Sequence, residues 1–367
     1  MKEYAEFVSL GHPDRLCDRI VDSIVEYVVS KDKDALCGLE CAIHTNKVFV
    51  DGRIAAGYKA LVIDNEKIRE IVKSVYETAG YNHITGYHPY SDELEIILDI
   101  CIELLSDDER NLRSYSDDQN VVNGYAINNM KTNYLPIAHF LANKIGNYIS
   151  KDASLGPDYK VLVQLEENNG KYSFDRITVS RQHKEEHTYR LIHKKIVKEI
   201  KEVLNELKLD GLEKIDEDKI YINGAGDFIQ GGPYGDNGLS GKKLCLDFYG
   251  PSVPIGGGAI SGKDPHKIDV CGAFRARELA LNLVKNYNYY SVFVSLSWSP
   301  GEKTPHSVSA YSIDEFNTKI EIDRKLLPPT DWFSIDCINN DLHLDRLIRG
   351  KMIMNGYMFK FIYDSIH

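Results

Sequence analysis

The sequence predicts an α+β fold, in which paired strands are followed by single amphipathic helices. Strand-like segments occur as neighbours at 160–165 and 175–180, and a long amphipathic segment follows them at 191–207. This order differs from the strict alternation of strand and helix that builds a doubly wound parallel sheet. The 367 residues are too many for one simple core and enough for two or three subdomains.

The other elements rest on hydrophobic periodicity and on end signals. Proline suits the first turn of a helix, glycine often ends one, and alternating apolar residues before an Asp-Gly pair are typical of a hairpin. In chain order these signals predict a helix from Pro13, a hairpin over 47–54 that turns at Asp51-Gly52, a helix over 65–79 ended by Gly80, a strand at 243–249, a helix at 275–284 and a strand at 291–298.

The composition is that of an acidic globular protein. The 44 Lys and Arg against 55 Asp and Glu give a net charge of −11 at pH 7, which argues against non-specific nucleic-acid binding. No apolar run of membrane length and no signal peptide is seen, so we expect neither a nucleic acid nor a membrane as a partner. The seven scattered cysteines contain no C-x-x-C pair, which predicts a reduced, cytoplasmic protein without a zinc site or a disulfide framework.

The glycine-rich run at 256–269 is the most informative segment. Its three consecutive glycines allow backbone N–H groups to approach a ligand, and Pro265 suits the start of a helix whose N-terminus would favour an anion. Lys263 and Lys267 are one helical turn apart and would add positive charge on one face. Asp269 could hold a divalent cation that neutralises the same anion. The run therefore predicts a polyphosphate site.

Two other interpretations of this run are weaker. Residues 257–263 fit G-x-x-x-x-G-K, the core of a P-loop, but Asp264 stands where that loop needs Ser or Thr to reach magnesium. Asp264 and Pro265 would also interrupt the helix that follows a P-loop. A glycine turn with solvated lysines is the ordinary alternative.

Two further segments, taken with this run, carry a resemblance to a known family. Residues 11–18 are GHPDRLCD, residues 231–243 are GGPYGDNGLSGKK, and residues 256–269 are GGGAISGKDPHKID. In this order and spacing they resemble the signature motifs of the S-adenosylmethionine synthetases (methionine adenosyltransferases). Smaller landmarks also match, namely Glu40 before a hairpin, Asp118-Gln119, Gly124-Tyr125-Ala126, PDYK at 157–160 and QHKEE at 182–186. The C-terminal hundred residues match poorly.

The resemblance implies a fold, a reaction and an assembly. The fold would be three similar α/β subdomains around a pseudo-threefold axis, with mixed or antiparallel sheets buried between subdomains and between subunits; we expect them at 1–104, 117–230 and 231–367. In the reaction, the methionine sulfur attacks the ribose C5′ of ATP and expels triphosphate, which is hydrolysed to pyrophosphate and phosphate. Mg²⁺ and K⁺ are the implied cofactors. The assembly would be a homodimer at least, with a tetramer as the alternative, and its sites would take His12 and the glycine-run residues from different chains.

The resemblance also implies roles for single residues. His12 would stabilise charge on the leaving oxygen or donate a proton to it, although a helix-capping histidine is the ordinary alternative. The implied sets are His12, Lys160, Lys243 and Lys263 for catalysis; His12, Asp158, Lys160, Phe228, Asp236, Lys242, Lys243, Ala259 and Lys263 for ATP; Asp236 and Lys267 for methionine; Asp14 and Asp269 for Mg²⁺; and Glu40 for K⁺. Ordinary alternatives are helix-start acids at Asp14 and Asp269, a core aromatic at Phe228 and a strand-end acid at Glu40.

Several positions depart from the family pattern and indicate a divergent member. Lys242 replaces an arginine, Arg15 a lysine, Arg53 a glutamate on the methionine side of the pocket, Asp227 a basic residue, Ile255 a histidine, and NGYM at 355–358 the usual GHFGR. The charge reversal at Arg53 bears directly on methionine recognition. A divergent chain also leaves a non-catalytic nucleotide-binding paralogue or regulatory subunit as the alternative function, although the retained motif residues favour an active enzyme.

The polar segment 106–120 is predicted to be a short active-site cover. Family members usually carry a longer, glycine-rich loop here that ends in G-D-Q, whereas this chain has charged residues such as Glu109, Arg110 and Arg113. Fewer glycines leave less backbone freedom to lose on closing. We therefore expect a cover that is more ordered without ligand and that seals the pocket less completely, so that water competes more with slow substrates.

Overall fold

The structure is a computed structural model that describes residues 1–57, 63–347, 349–352 and 356–358. The strands are β1 Lys2–Val8, β2 Leu36–His44, β3 Lys47–Ala56, β4 Glu95–Leu104, β5 Asn120–Ile127, β6 Tyr159–Asn168, β7 Lys171–Arg181, β8 Ile220–Ile222, β9 Gly238–Leu239, β10 Ser291–Trp298, β11 Ser307–Ile313 and β12 Lys319–Glu321. The α-helices are α1 Pro13–Val29, α2 Asn65–Ala79, α3 Asp107–Leu112, α4 Ile137–Ile149, α5 Tyr189–Leu207, α6 Leu244–Asp247, α7 Ile268–Tyr287, α8 Ile335–Leu342 and α9 Arg349–Met352.

The strands form three four-stranded sheets that exchange strands in a cycle. Their orders are β4-β3-β2-β9, β1-β6-β7-β8 and β12-β11-β10-β5. Each sheet has three strands from one third of the chain and a fourth from another third, since β1, β5 and β9 all leave their own neighbours. The β3–β4 and β7–β8 pairs are parallel and the others antiparallel. The three-subdomain α+β architecture is thus confirmed, while the division at 104, 117 and 231 stays a prediction.

Each sheet is covered by helices on one face. Helices α1 and α2 close a core with the first sheet, α4 and α5 pack on the second, and α7 and α8 lie at the third. The second and third share one continuous apolar core, whereas the first has its own. Within the described ranges, no helix has the length and apolar character to cross a bilayer.

Most predicted elements are confirmed. The first helix begins at Pro13, the second ends before Gly80 (φ 105°), and the predicted segments 191–207 and 275–284 lie within α5 and α7. The segments 160–165, 175–180 and 291–298 are strands of β6, β7 and β10.

The predicted turn at Asp51-Gly52 is wrong. Strand β3 continues through both residues, and the hairpin turns instead between His44 and Lys47, where Thr45 has φ 53°. Gly52 has φ 120° inside the strand, and a Cβ there would lie 2.1 Å from the carbonyl oxygen of Gly38. The glycine therefore permits a close approach of neighbouring strands rather than a chain reversal.

Two predictions near the glycine-rich run are also wrong. The predicted strand at 243–249 contains the short helix α6, because the carbonyl of Lys243 accepts the N–H groups of Leu246 and Asp247. The helix predicted from Pro265 begins at Ile268, with Lys267 as its N-cap. Lys263 and Lys267 therefore do not share a helical face.

Helix α1 carries a row of buried carboxylates that holds the glycine-rich segments. Asp14, Asp18 and Asp22 are four residues apart and so share one face. Asp14 accepts the N–H of Leu239 at 3.0 Å, Asp18 that of Gly241 at 2.7 Å, and Asp22 that of Gly262 at 3.1 Å. The row thus connects α1 to the two segments that the sequence singled out.

Asp22 should contribute strongly to stability. It also accepts hydrogen bonds from the buried Arg349 guanidinium (3.3 Å) and from the Tyr357 hydroxyl. Asp22→Asn removes the charge and leaves Arg349 without its ion-pair partner, so we expect a loss of about 3–5 kcal/mol in the free energy of unfolding. Urea denaturation at pH 7 measures it. Glu26→Gln, one turn further along α1 and half-buried, is the control; equal midpoints for the two variants would contradict the assignment.

Candidate active site

The loop that carries His12 is held by hydrogen bonds between β1 and β6. Ser9 donates its N–H to the Tyr159 carbonyl (3.0 Å) and its hydroxyl to the Pro157 carbonyl (2.7 Å). Tyr81 donates its buried hydroxyl to the Gly11 carbonyl at 2.5 Å. These contacts fix the backbone on both sides of the turn and so fix the imidazole that follows.

His12 is a buried, neutral imidazole with a defined tautomer. Burial lowers its pKa to about 3, and the positive charge of Lys160 adds to this effect. The ring Nδ1 accepts the N–H of Asp14 at 3.2 Å, because His12 is the N-cap of α1. Since Nδ1 is an acceptor in a neutral ring, the proton is on Nε2. The capping role and an Nε2–H donor therefore coexist in one side chain.

Asp14 forms ion pairs with the two lysines at the end of the glycine-rich segment 231–243. Lys243 lies 2.5 Å from its Oδ2 and Lys242 lies 3.6 Å from its Oδ1. Burial is the largest single influence on the pKa of Asp14 and raises it, but the hydrogen bonds from Lys243 and from the N–H of Leu239, with the charge of Lys243, together lower the pKa below its ordinary value. The charges of Lys160, exposed at the start of β6, and of Asp236 both act on His12. We use the name histidine group for His12, Asp14, Lys160, Asp236, Lys242 and Lys243.

Asp158 brings an unused acceptor beside the histidine group. Its Oδ2 accepts the N–H of Gly232 at 2.8 Å, whereas its Oδ1 is buried and has no partner among the residues that the structure describes. Burial raises the pKa of Asp158 to about 6. An unpaired buried acceptor is costly unless a ligand satisfies it.

Phe228 and Ala259 lie at the edges of this region. Two hydrogen bonds to His183 fix the backbone of Phe228. The N–H of Phe228 donates to the ring Nε2 of His183 at 3.0 Å, and the backbone N–H of His183 donates to the carbonyl of Phe228 at 2.9 Å. The phenylalanine is half-buried, so one part of its ring stays available to a ligand. Ala259 faces Gly241, where an added Cβ would lie 3.0 Å from the Ala259 Cβ.

The glycine-rich run forms a second set, which we call the lysine group. Lys263 lies 3.0 Å from Asp269 Oδ1, and Asn120 donates to the same oxygen at 2.8 Å. Lys267 pairs with Asp117. At Gly258 a Cβ would lie 1.4 Å from Asp269 Oδ1, so this glycine admits the carboxylate. The glycines thus pack on Asp269 and β5, and they do not surround an open anion hole.

Glu40 lies between the two groups. It is exposed on β2, where its carboxylate accepts the hydroxyl of Ser240, the residue before Gly241. Lys263 forms an isolated bridge to Gly38 on the same strand. Across the described residues, no group of three or more His, Cys, Asp or Glu side chains is placed to hold a metal ion.

The structure gives Asp264 a role that excludes the P-loop interpretation. Its side chain is fully buried, accepts the N–H of Cys37 at 2.8 Å and that of His266 at 2.9 Å, and pairs with Arg113. A carboxylate committed in this way cannot take the place of a magnesium-binding hydroxyl.

The cover segment contains α3 and is held by ion pairs. Ser106 and Glu109 form a capping box. Arg53 bonds Glu109 at 2.7 Å and Glu103 at 2.9 Å, and the hydrogen bond from Arg53 lowers the pKa of Glu109 to about 2. Arg110 pairs with two acids at 32 and 34, at 3.2 and 3.1 Å. The reversed charge at position 53 thus anchors the cover.

The other departures have separate surroundings. Arg15 is buried between Asp18 and Asp247, whereas Asp227 is exposed, 3.8 Å from the His183 ring. Ile255 packs partly against the core. Tyr357 bonds to Asp22, and Asn355 lies outside the described residues.

Sequence reasoning missed the structural acids of the site. Asp18, Asp22 and the contacts of Asp264 were not predicted, nor were Asn120 and Asp117 as partners of the lysines. A signal for the first two was present, because acids at four-residue spacing within an otherwise apolar helix indicate a buried polar row. No local pattern pointed to Asp117 or Asn120, whose partners are about 150 positions away in sequence.

Comparison with known proteins gives a consistent result. Three family models match, described as the N-terminal, central and C-terminal domains of S-adenosylmethionine synthetase, over residues 3–101, 114–228 and 230–363. Two proteins named S-adenosylmethionine synthase are each 32% identical to the chain. For the protein of Azobacteroides pseudotrichonymphae the match covers 96% of this chain and 87% of the relative, and for that of Clostridium tetani it covers 88% and 84%. An unusual S-adenosylmethionine synthetase of Campylobacter jejuni superposes with a TM-score of 0.83 at 25% identity, covering 100% of this chain and 97% of its own.

The anchored cover should resist proteolysis in the free protein. Without ligands, we expect slow tryptic cleavage after Arg110 and Arg113. In Arg53→Ala we expect severalfold faster cleavage after Arg110, because this change removes the ion pair that holds Glu109, and with it α3, to strand β3. Mass spectrometry of timed digests measures both rates, with Arg176→Ala on β7 as the control. Strong cutting of the unmodified protein that disappears with ATP plus methionine would instead indicate an ordinary flexible gate.

Proposed function

The chain belongs to the S-adenosylmethionine synthetase family, and we propose that it makes S-adenosylmethionine from ATP and methionine. In this reaction the methionine sulfur forms a bond to the ribose C5′, the bond from C5′ to oxygen breaks, and triphosphate leaves with the electron pair. The triphosphate is then hydrolysed to pyrophosphate and phosphate. The retained motif residues and the two clusters of lysines and acids support this proposal.

The neutral His12 is the single observation that carries it. Its Nε2–H is a hydrogen-bond donor without charge, next to Lys160, Lys242 and Lys243. A leaving triphosphate gains negative charge on the oxygen that departs from C5′. Donors and cations fixed in advance around that oxygen stabilise the transition state more than the ground state. We propose that His12 donates to this oxygen and that the lysines hold the phosphates.

Asp158 and Phe228 would hold the nucleoside. The free, buried Oδ1 of Asp158 suits a ribose hydroxyl, which would satisfy it. The half-buried ring of Phe228 suits adenine stacking. Ala259 and the backbone at Gly241 would contact the nucleotide where the glycine-rich segments meet.

The lysine group would hold methionine and the far end of the triphosphate. Lys263 would contact phosphate, and Lys267 the carboxylate of methionine. Asp236 belongs to the histidine group, so it would reach methionine on Lys267 only where a histidine group and a lysine group meet. That condition is met if the site is formed between two subunits.

The acids suit a divalent cation in their chemistry. Mg²⁺ takes oxygen ligands and is usually held by one or two carboxylates together with substrate phosphates and water, so a lone Asp14 or Asp269 beside bound phosphate is sufficient. Such a cation would neutralise the phosphates. Glu40 offers a carboxylate to K⁺. Because both aspartates already pair with lysines, a cation would also free Lys243 and Lys263 for phosphate.

The first sheet offers a surface for the assembly. Leu239, Ala42, Phe49 and Ile97 are in register across its four strands, and Leu239, Phe49 and Ile97 are 44%, 36% and 45% exposed. A cross-strand apolar row of this kind is typical of a subunit interface. We propose a homodimer at least, formed through this sheet.

All seven cysteines are free thiols, which suits the reducing cytoplasm, where we place the reaction.

One assay tests the function. The protein is mixed with ATP, methionine, Mg²⁺ and K⁺, and products are identified by mass spectrometry. A sulfonium product with pyrophosphate and phosphate supports the proposal. ADP would indicate a phosphotransferase, and ATP binding without turnover would indicate a non-catalytic nucleotide-binding paralogue or regulatory subunit.

His12→Asn should separate chemistry from folding. Asparagine is a good N-cap, so α1 should still start correctly. We expect sulfonium formation to fall about 10²- to 10⁴-fold through loss of the positioned donor, while hydrolysis of added tripolyphosphate partly remains. His44→Asn, at the exposed end of β2, is the control. Near-normal synthesis by His12→Asn would reduce His12 to a helix cap.

Substitution of the two lysines should affect different substrates. Lys263→Met should raise KM for ATP and slow tripolyphosphate hydrolysis, since a charge-assisted contact contributes roughly 1.5–3 kcal/mol. Lys267→Met should raise KM for methionine more. Steady-state kinetics with each substrate varied measures both, with the exposed Lys171→Met as the control. Equal effects of both variants on both substrates would contradict the assignment of Lys263 to phosphate and Lys267 to methionine.

A further inference from the structure

The contact between Lys267 and Asp117 differs from the other ion pairs of the site. Lys267 is the N-cap residue of α7, and its ammonium pairs with the Asp117 carboxylate, with the two side chains 21% and 43% exposed. In the parts of the chain that the structure describes, this carboxylate has no second partner. Two neighbouring acids are committed, Asp269 to Lys263 and Asn120, and Asp264 to Arg113. The adjacent, exposed Asp118 accepts the N–H of Gln119 at 2.8 Å.

A partly exposed pair of opposite charges complements a zwitterion. An α-amino acid has an ammonium and a carboxylate on one carbon, a short distance apart. A carboxylate next to an ammonium offers the reverse pattern at a similar spacing. An exposed ion pair is weak and screened by water, so it opens readily when a ligand can satisfy both members.

The backbone that leads into Asp117 is also held in place. Ser116 donates its N–H to the Glu302 carbonyl at 2.8 Å and accepts the N–H of Gly301 at 2.7 Å, and Ser114 bonds Asp336 at 2.8 Å. These contacts attach this end of the cover segment to the third subdomain. The carboxylate is thus presented from a fixed backbone, as a specificity residue requires.

We propose that Asp117 accepts the α-ammonium of the amino-acid substrate while Lys267 takes its α-carboxylate. The proposal rests on the synthesis of S-adenosylmethionine proposed above and deepens it by assigning a residue that distinguishes an α-amino acid from its deamino analogue. Arg53 cannot take this part, because it is a cation committed to Glu103 and Glu109. Asp236 is the rival acceptor: its charge acts on His12, and it would reach methionine on Lys267 only where two subunits meet.

The test compares Asp117→Asn with methionine and with 4-(methylthio)butanoate, which lacks the amino group. We expect KM for methionine to rise about 10- to 100-fold, with a smaller change in kcat, as for loss of one charge-assisted hydrogen bond. The inhibition constant of 4-(methylthio)butanoate against methionine should stay unchanged. Asp108→Asn, in the same cover segment and exposed, should behave as the unmodified protein. Asp236→Asn is run beside it as the rival.

Three results would overturn the assignment. A fall in KM for methionine in Asp117→Asn would show that the Asp117 carboxylate only competes with the methionine carboxylate for Lys267. An unchanged KM, or a loss of amine discrimination in Asp236→Asn alone, would remove Asp117 from recognition. Calorimetric titration with L-methionine separates this inference from the proposed function. If methionine binds without turnover, the proposed function fails, and the dissociation constant of methionine for Asp117→Asn then decides whether Asp117 recognises the ammonium. If methionine does not bind, the proposed function and the role of Asp117 both fail.

Discussion

The carboxylate row on α1 is the constraint on which the rest of the site depends. Asp14, Asp18 and Asp22 receive backbone N–H groups from both glycine-rich segments, and the N-cap of the same helix is His12. One rigid element therefore fixes the imidazole and both segments relative to each other. Burial makes this arrangement selective, because an unpaired buried carboxylate is costly and few other chain paths would satisfy all three. Burial and the nearby Asp247 carboxylate raise the pKa of Asp18, which is fully removed from water, to about 7.

The same principle of paired charge governs the lysines in the free protein. Each lysine with a proposed anionic ligand in these clusters, apart from Lys160, already faces a carboxylate: Lys242 and Lys243 with Asp14, Lys263 with Asp269, and Lys267 with Asp117. Substrate binding would therefore exchange one anion for another, so affinity would depend on the difference between the two sets of contacts. The proposed triphosphate site would function in an acidic protein because the positive charge is concentrated at that site.

Sequence patterns predicted the parts of the molecule whose causes are local. The helices ended by Gly80 and begun at Pro13 follow from end signals and periodicity, and the fold class follows from the order of elements. The errors arose where distant residues decide. Gly52 resembles a turn residue but permits a strand contact with Gly38. The segment 243–249 has the pattern of a strand but contains the short helix α6, whose Asp247 pairs with Arg15. Asp117 could not be predicted, because its partner is brought near only by the complete fold.

The cyclic exchange of strands has a consequence for how the chain is synthesised. Strand β1 leaves the ribosome first, but its partner β6 begins only at Tyr159, and the first sheet waits for β9 at Gly238–Leu239. No third of the chain can therefore complete its own sheet, because each sheet needs one strand from another third, and pairings of high sequence separation are slow to form. Until they form, β1 is an unpaired edge with apolar residues, which is the kind of segment that chaperones shield and that aggregates when unshielded. The interlocking that unites the three subdomains would thus make the release of a complete chain, rather than of any domain, the step that commits the protein to its fold.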